Sequence, residues 1–282
     1  MQKDNLTAVA SAALALCSAG AMGEAMHAHG RYTVECFEYE GGPLLWREVI
    51  DNVVCTPGRN SMLDNFITGS GFTQTGPYMG LISSVGWTNL ATTLSALVSY
   101  NSSTGLATLS TAAAHGLLPS DSPVTIASAA GTGANISSLN GTFIPQTGTT
   151  GSTLVIYVGT GLTITTVTGG NVTTTSGTRA GDTMASHVNW TEAGSTNAPT
   201  FAARGTPAWS AASGNSKSTS SAVSYTMTGA GTLQGAFIVL GSGAVTTLMS
   251  TTGTLFSAGA FSGGSQAVSS GNVVTVSYSV GV

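Results

Sequence analysis

The chain has 282 residues, of which 41% are hydrophobic and only 6% are charged, about a quarter of the charged share typical of soluble domains. Its formal charge is −4 and its basic residues form no run, which excludes the clustered cations that a nucleic-acid partner requires. The apolar fraction excludes disorder throughout the chain, and no stretch reaches the roughly twenty apolar residues of a membrane-spanning helix. Abundant Gly, Ser and Thr favour short strands and tight turns over a helical bundle.

Residues 1–29 are predicted to form an N-terminal arm that is rich in Ala. The stretch Leu6–Ala28 has some features of a secretory signal, with Lys3 near its start and an apolar run behind it. Asp4 interrupts the basic region, and Ala has the highest helix propensity, so a helical or extended arm is the preferred interpretation. A secreted adhesin or carbohydrate-binding domain is the alternative, and it predicts cleavage near Ala28.

A β-hairpin is predicted directly after the arm. Residues 31–38 alternate like a half-buried strand, residues 40–43 supply a Gly-Gly-Pro turn, and residues 45–50 return as a strand that residues 51–54 extend past a bulge.

A short helix and an apolar strand follow the hairpin. Asn60 is predicted to cap the helix, and Gly69 is predicted to end it. Its apolar residues recur at helical spacing and are Leu63, Phe66 and Ile67. Residues 77–82 are the next strand candidate.

The composition changes from about Leu90 to Gly170, where aromatic residues nearly vanish and Lys and Arg are absent. We therefore predict an inserted β-rich module at residues 91–170, a small sandwich or barrel. Its strand candidates are residues 107–110, 123–127, 141–144, 154–158 and 162–167.

Aromatic residues return after the insertion, and five further strand candidates follow at residues 221–227, 233–240, 244–249, 254–261 and 272–280. The predicted fold class is all-β. Residues 31–90 and 171–282 are expected to form a jelly-roll-like β-sandwich, with the module of residues 91–170 inserted between its halves.

Several segments resemble structural proteins of tailed bacteriophages. Outside the arm and the insertion they are Gly30–Cys36, Trp46–Ile50, Tyr78–Ser84, Gly181–His187 with Trp190–Glu192, Trp209–Ser213, Gly235–Val239 and Thr254–Gly259. Three segments of the insertion resemble a small β-module of phage surface and tail proteins. They are Ala114–Leu117, Val124–Ile126 and Leu139–Phe143. Shorter proteins of this kind join the segments on either side of the insertion more directly, which makes the module a candidate for exterior display.

The resemblance implies a head decoration or cement protein, because related proteins are encoded close to the major capsid protein. We therefore expect a virion protein on the capsid exterior whose partners are the major capsid protein and copies of itself, with a homotrimer as the expected oligomer. Nucleic acid and membrane are not expected partners. The alternative is a tail-associated receptor- or glycan-binding protein, similar to a tail fibre or adhesin, that uses the insertion or its Trp residues as the contact surface.

Metal binding and catalysis find little support in the sequence. His27 and His29 share one face of an extended strand, but no carboxylate or Cys completes a ligand set nearby. His115 lies in a turn-like Ala-His-Gly, where a backbone hydrogen bond is the ordinary use of the ring. Phosphate-binding loops and nucleophile elbows are absent from the sequence. We expect no enzyme activity, no cofactor and no bound metal.

One cluster of polar residues has side chains suited to such chemistry. His187 lies near Asp182, Asn189 and Glu192 in the sequence, and such a set suits a cation or an acid–base step. A loop network that ties strands together is the preferred interpretation.

The tryptophans and cysteines are expected to be structural. A flat platform for sugars is the alternative role of Trp46, Trp87, Trp190 and Trp209, but each lies in or beside an apolar run, which favours packing. The cysteines lack metal-binding spacing and are predicted to be reduced and buried, although Cys36 and Cys55 would pair if adjacent strands brought them together. These cysteines are Cys17, Cys36 and Cys55.

Overall fold

A computed structural model describes residues 28–68, 75–89, 91–119, 121, 123–174, 177–187 and 189–281. The predicted all-β class is confirmed, since the described chain consists of antiparallel sheets with little helix. The arm of residues 1–29 lies outside this part except for its end, where His29 already belongs to the first strand.

The strands, in chain order, are β1 (His29–Phe37), β2 (Leu44–Val54), β3 (Tyr78–Ser83), β4 (Ala91–Asn101), β5 (Leu106–Thr111), β6 (Val124–Thr132), β7 (Gly141–Phe143), β8 (Thr153–Tyr157), β9 (Thr166–Thr174), β10 (Thr191–Glu192), β11 (Ser216–Ser218), β12 (Val223–Thr226), β13 (Gly231–Leu240), β14 (Thr254–Ala260), β15 (Gln266–Val268) and β16 (Val273–Gly281). The helix α1 spans Thr56–Thr68, and a short 3-10 helix spans Ile136–Leu139.

The main sheet combines strands from both sides of the predicted insertion. Its order is β10-β3-β13-β14-β2-β1-β16-β11, with β12 also paired to β16 and β15 to β13. The sheet bends, so that Met79 and Ile238 near one end pack with Tyr32 and Val276 near the other in a single core. This arrangement is consistent with a β-sandwich, and the jelly-roll connectivity stays a prediction.

Helix α1 begins earlier than the sequence indicated. The Cys55 carbonyl accepts the first helical bond from the Arg59 amide (2.9 Å), so Asn60 is an internal residue and not the cap. Pro57 lies in the first turn, where the missing N–H costs nothing. Leu63, expected on the packed stripe, is 46% exposed, and Gly69 lies outside the described residues.

The strand predicted at residues 244–249 is wrong, because this segment is a loop. Its backbone bonds to Arg204 and not to a neighbouring strand. The Arg204 amide donates to the Thr246 carbonyl (2.9 Å), and the Arg204 guanidinium donates to the Val245 carbonyl (3.2 Å). Met249 also has a positive φ of 62°, which interrupts extended backbone.

Strands β4 to β9 form a second, six-stranded sheet in the order β7-β6-β9-β4-β5-β8. It encloses its own apolar core, which includes Leu109, Ile126 and Leu154. The Gln146 amide donates to the Val155 carbonyl (2.8 Å), so the chain that leaves edge strand β7 meets the other edge strand, β8. The sheet is therefore nearly closed, like a small barrel.

Two features of this second sheet differ from the sequence prediction. Strand β4 was not predicted, and the strand expected at residues 162–167 is displaced to β9, which runs through the predicted boundary at residue 170. Both strands consist mostly of Thr, Ser, Gly and Ala, so neither shows a clear alternation of apolar and polar residues.

The entry and exit of the second sheet lie side by side. Ala91 of β4 is the antiparallel partner of Thr173 of β9. The main sheet therefore meets the inserted strands through two adjacent chain segments. Within the described ranges, the structure contains no helix long and apolar enough to cross a membrane.

Candidate functional site

The acid–base candidates converge on a buried tryptophan. The Trp190 indole Nε1 donates to Asp182 Oδ2 (2.8 Å), and the Arg179 amide donates to the same oxygen (3.0 Å). His187 stacks on the Trp190 ring with 3.8 Å between ring centroids, and its Nδ1 donates to the Trp190 carbonyl (2.9 Å). Burial raises the pKa of Asp182, and these hydrogen bonds partly offset that effect.

Glu192 belongs to a different contact. Its carboxylate forms a bidentate ion pair with Arg204, at 2.7 Å to both Nε and Nη2, and both side chains are almost fully buried. The pair also fastens the loop before β14, because Met249 N donates to Glu192 Oε2 (2.7 Å) and Arg204 Nη2 donates to the Ser250 carbonyl (2.7 Å).

The predicted cluster therefore divides into separate structural networks. Asp182 and His187 both bond to Trp190, and Glu192 is occupied by Arg204, so the three groups form no acid–base relay. The expectation of a loop network agrees with these contacts. Among the described residues, no group of three or more His, Cys, Asp or Glu side chains is placed to hold a metal ion.

Sequence reasoning did not identify Arg204 as the partner of Glu192. The only available signal was compositional: with seven basic residues in the whole chain, an Arg in an apolar region needs an acidic partner, because an unpaired buried charge is costly.

A second polar network joins a turn of the inserted module to the segment between β9 and β10. Buried Asp121 accepts hydrogen bonds from the Ala180 amide through Oδ1 (2.8 Å) and from the Leu118 amide through Oδ2 (3.3 Å). With the Asn189 side-chain amide assigned so that its oxygen faces the Arg179 guanidinium, the orientation that satisfies both its oxygen and its nitrogen, this oxygen accepts from Arg179 Nε (2.9 Å). Asp121 thus connects a turn of the insertion to the backbone that follows it.

His115 lies in the same junction and is fully buried. Its Nδ1 accepts a hydrogen bond from the Leu117 amide (3.1 Å), which confirms the backbone role expected for this ring. Burial lowers the pKa of His115, and the positive charge of Arg179 lowers it further. The neutral ring is therefore the favoured form in this position. His29 lies at the exposed start of β1, and His27 is outside the described part of the chain.

Cys36 and Cys55 are both buried and free, so the optional disulfide between them is not formed. Burial raises the pKa of Cys36 to about 11 and raises the pKa of Cys55 well above its usual value. Both behave as buried apolar residues, as predicted. Cys17 is outside the described part.

The four tryptophans do not form a common platform. Trp190 is buried, and the other three are half-buried in different places. Trp46 packs against Phe261 and donates to the Ala267 carbonyl (3.0 Å), while Trp209 packs edge-on against Tyr278. The preference for packing over sugar stacking agrees with these contacts.

The exposed apolar side chains include two groups that are relevant to binding. The first is the hairpin tip between β1 and β2, defined by Tyr39, Leu44 and Leu45, each at least half exposed. The second is the outside of the inserted sheet, where Val98 and Tyr157 are exposed. Comparison of the chain with protein-family models, curated proteins and solved structures finds no match.

Proposed function

We propose that this chain is a structural protein of a tailed-bacteriophage particle, which decorates or cements the capsid exterior by oligomeric binding to the major capsid protein. The proposal rests on the resemblance of its segments to phage structural proteins. A homotrimer is the oligomer proposed for a site of threefold symmetry.

The exposed hairpin tip is the observation that supports this function best. Tyr39, Leu44 and Leu45 place three large apolar side chains on one exposed turn, in a chain whose polar clusters are used for internal contacts. Exposed apolar side chains that lie together on a surface are characteristic of protein contact sites. In such a role the chain would bind by burying apolar surface area against a partner protein.

The test is co-expression of the chain with the major capsid protein encoded in the same genome, followed by counting copies per purified shell. Hundreds of copies spread over the head would support the proposal. Leu44→Asp at the hairpin tip is expected to lower the copy number, and Val98→Asp on the inserted sheet is the matched control. Shells that carry none of the chain would contradict the proposal.

The second candidate function is a tail-associated receptor- or glycan-binding protein. The observation that favours it is the exposed Tyr157 ring, which lies over Gly105 on the inserted sheet and offers an aromatic face. This alternative predicts a few to a few dozen copies at the tail and loss of host-cell adsorption in Tyr157→Ala. Normal adsorption of that variant would contradict it.

A further inference from the structure

The sheet face formed by β1, β2 and β16 on the side away from the core has an unusual charge arrangement. We call it the outer face and define it by Arg31, Thr33 and Glu35 of β1, Arg47, Val49 and Asp51 of β2, and Thr275, Ser277 and Ser279 of β16. Seven basic and eleven acidic residues occur in the whole chain, and two of each lie on this face.

The four charges form a rectangle of alternating sign. Arg31 pairs across the strands with Asp51 at one end, at 2.7 Å, and Arg47 pairs with Glu35 at the other, at 3.6 Å. Each strand therefore carries one positive and one negative charge. Because the strands are antiparallel, the positive charge of one strand lies beside the negative charge of the other. Val49, which is 39% exposed, lies opposite Thr33 at the centre.

Such a rectangle is complementary to a copy of itself. If two outer faces meet about a two-fold axis parallel to the strands, every residue of β1 faces its own cross-strand partner in the other copy. Arg47 of each copy then faces Glu35 of the other, and Arg31 faces Asp51. A two-fold axis across the strands also matches opposite charges.

The apolar residues select between these two axes. Leu45 and Phe37 lie at the end of the face beyond Arg47 and Glu35, and Leu45 is half exposed. An axis parallel to the strands brings these ends of the two copies together, whereas an axis across them places each apolar end against the charged end that holds Arg31. Burial of apolar area favours the parallel axis.

We propose that the outer face is a self-association surface, which pairs with the outer face of a second copy about a two-fold axis parallel to β1 and β2. The axis lies between β1 and β2, so these two strands of each copy overlap and β16 lies beside the overlap. Two strands about 4.8 Å apart and about seven residues long cover roughly 24 by 10 Å. This is below the roughly 800 Å² that each partner contributes to a standard interface, so the pairing is weak and depends on concentration. It does not require a capsid.

A two-fold contact cannot by itself build a cyclic trimer, and in a trimeric protein it joins two trimers. The first readout is therefore the molar mass of the purified full chain, measured by sedimentation over a range of concentrations at low salt. We expect even-numbered assemblies. A wild-type chain that stays monomeric or strictly trimeric at all concentrations overturns the proposal.

The variants test which charges face each other. Arg47→Glu places a negative charge opposite Glu35 of the other copy, at both symmetry-related sites. It is expected to weaken the self-association roughly tenfold. Lys217→Glu changes the net charge equally, but Lys217 is paired with Val280 and so lies on the other side of the sheet; its self-association is expected to match the wild type. An unchanged assembly in Arg47→Glu overturns the proposal.

The exchange Glu35→Arg/Arg47→Glu gives the sharpest discrimination. It keeps the ion pair within each chain and restores complementarity between two variant copies about the parallel axis, so it should self-associate like the wild type. Its mixed pair with the wild type opposes like charges and should be weaker than either self-pair. If a labelled wild-type chain pairs with the exchange variant as tightly as each pairs with itself, the proposal is overturned. If the exchange variant no longer self-associates, the parallel axis is overturned.

Discussion

Replacing Glu192 by Gln tests how strongly the main sheet depends on its buried ion pair. The change keeps the shape of the side chain but removes the charge that balances the Arg204 guanidinium. That guanidinium is fully buried and would retain only uncharged acceptors, which are the carbonyl oxygens of Val245 and Ser250 and the amide oxygen of the introduced Gln. Breaking one half of a buried pair costs about 3–5 kcal/mol, most of it from the charge left without compensation.

The expected loss in the free energy of unfolding is therefore about 3–5 kcal/mol, or a melting temperature lower by roughly 10 °C. The main reason to expect the upper half of this range is that Glu192 also accepts the Met249 amide (2.7 Å), so the loop before β14 weakens with the pair. Denaturant unfolding at neutral pH measures the difference.

A double-mutant cycle separates the pair from the loss of either side chain. Arg204→Met alone leaves a buried carboxylate, and the double variant with Glu192→Gln leaves neither charge. The double variant should lose less stability than the sum of the single changes, by about 2 kcal/mol. Asp51→Asn, in an exposed pair with Arg31, is the control, and its stability should stay close to that of the wild type because solvent screens the pair. Glu192→Gln with a loss as small as this control would refute the reasoning.

Three further changes test the core, the thiols and the insertion. Gly30→Ala should lower stability by about 2–3 kcal/mol in denaturant unfolding, because its Cβ would clash with a buried tyrosine hydroxyl group of β16. Gly169→Ala meets no atom within 4 Å and should change stability by less than about 0.5 kcal/mol; equal effects of the two would contradict the packing argument. In a Cys17→Ser background, Cys36 and Cys55 should react with a thiol reagent at pH 8 only after unfolding, since burial raises the pKa of both, and rapid labelling of the native chain would argue against this. Replacing the inserted module by a short Gly-Ser linker should leave a cooperative unfolding transition, because its entry and exit strands pair side by side; its disappearance by circular dichroism would show that the main sheet needs the module.

The sequence predicts best where one face of a strand is buried and the other is polar. Strand β16 alternates Val274, Val276 and Tyr278 inside with Thr and Ser outside, and β1 has the same pattern, so both were located within two residues. The alternation is the direct result of burying one face of a pleated strand. The hairpin of β1 and β2 followed from it and from the turn residues between them.

Prediction fails where a distant charge decides the local conformation. Residues 244–249 have the apolar and β-branched composition of a strand, yet their carbonyl and amide groups bond to Glu192 and Arg204. Neither partner is close in sequence, so no local pattern could reveal the contact. The helix start at Thr56 was missed for a related reason: a Cys precedes it, and Cys carries no capping signal.

The scarcity of charge links these observations to the proposed function. Glu192 and Arg204 fasten a loop, Asp121 and Asp182 accept backbone amides around the junction, and their carboxylates are largely buried. Charges that serve such contacts add little repulsion between neighbouring copies, because they are either paired or removed from the surface. Among the described residues, the surface that remains is rich in hydroxyl and apolar groups, and four of its charges form a neutral rectangle on the outer face. A surface of this kind favours close approach of identical copies, which is the physical requirement for a protein that covers a shell.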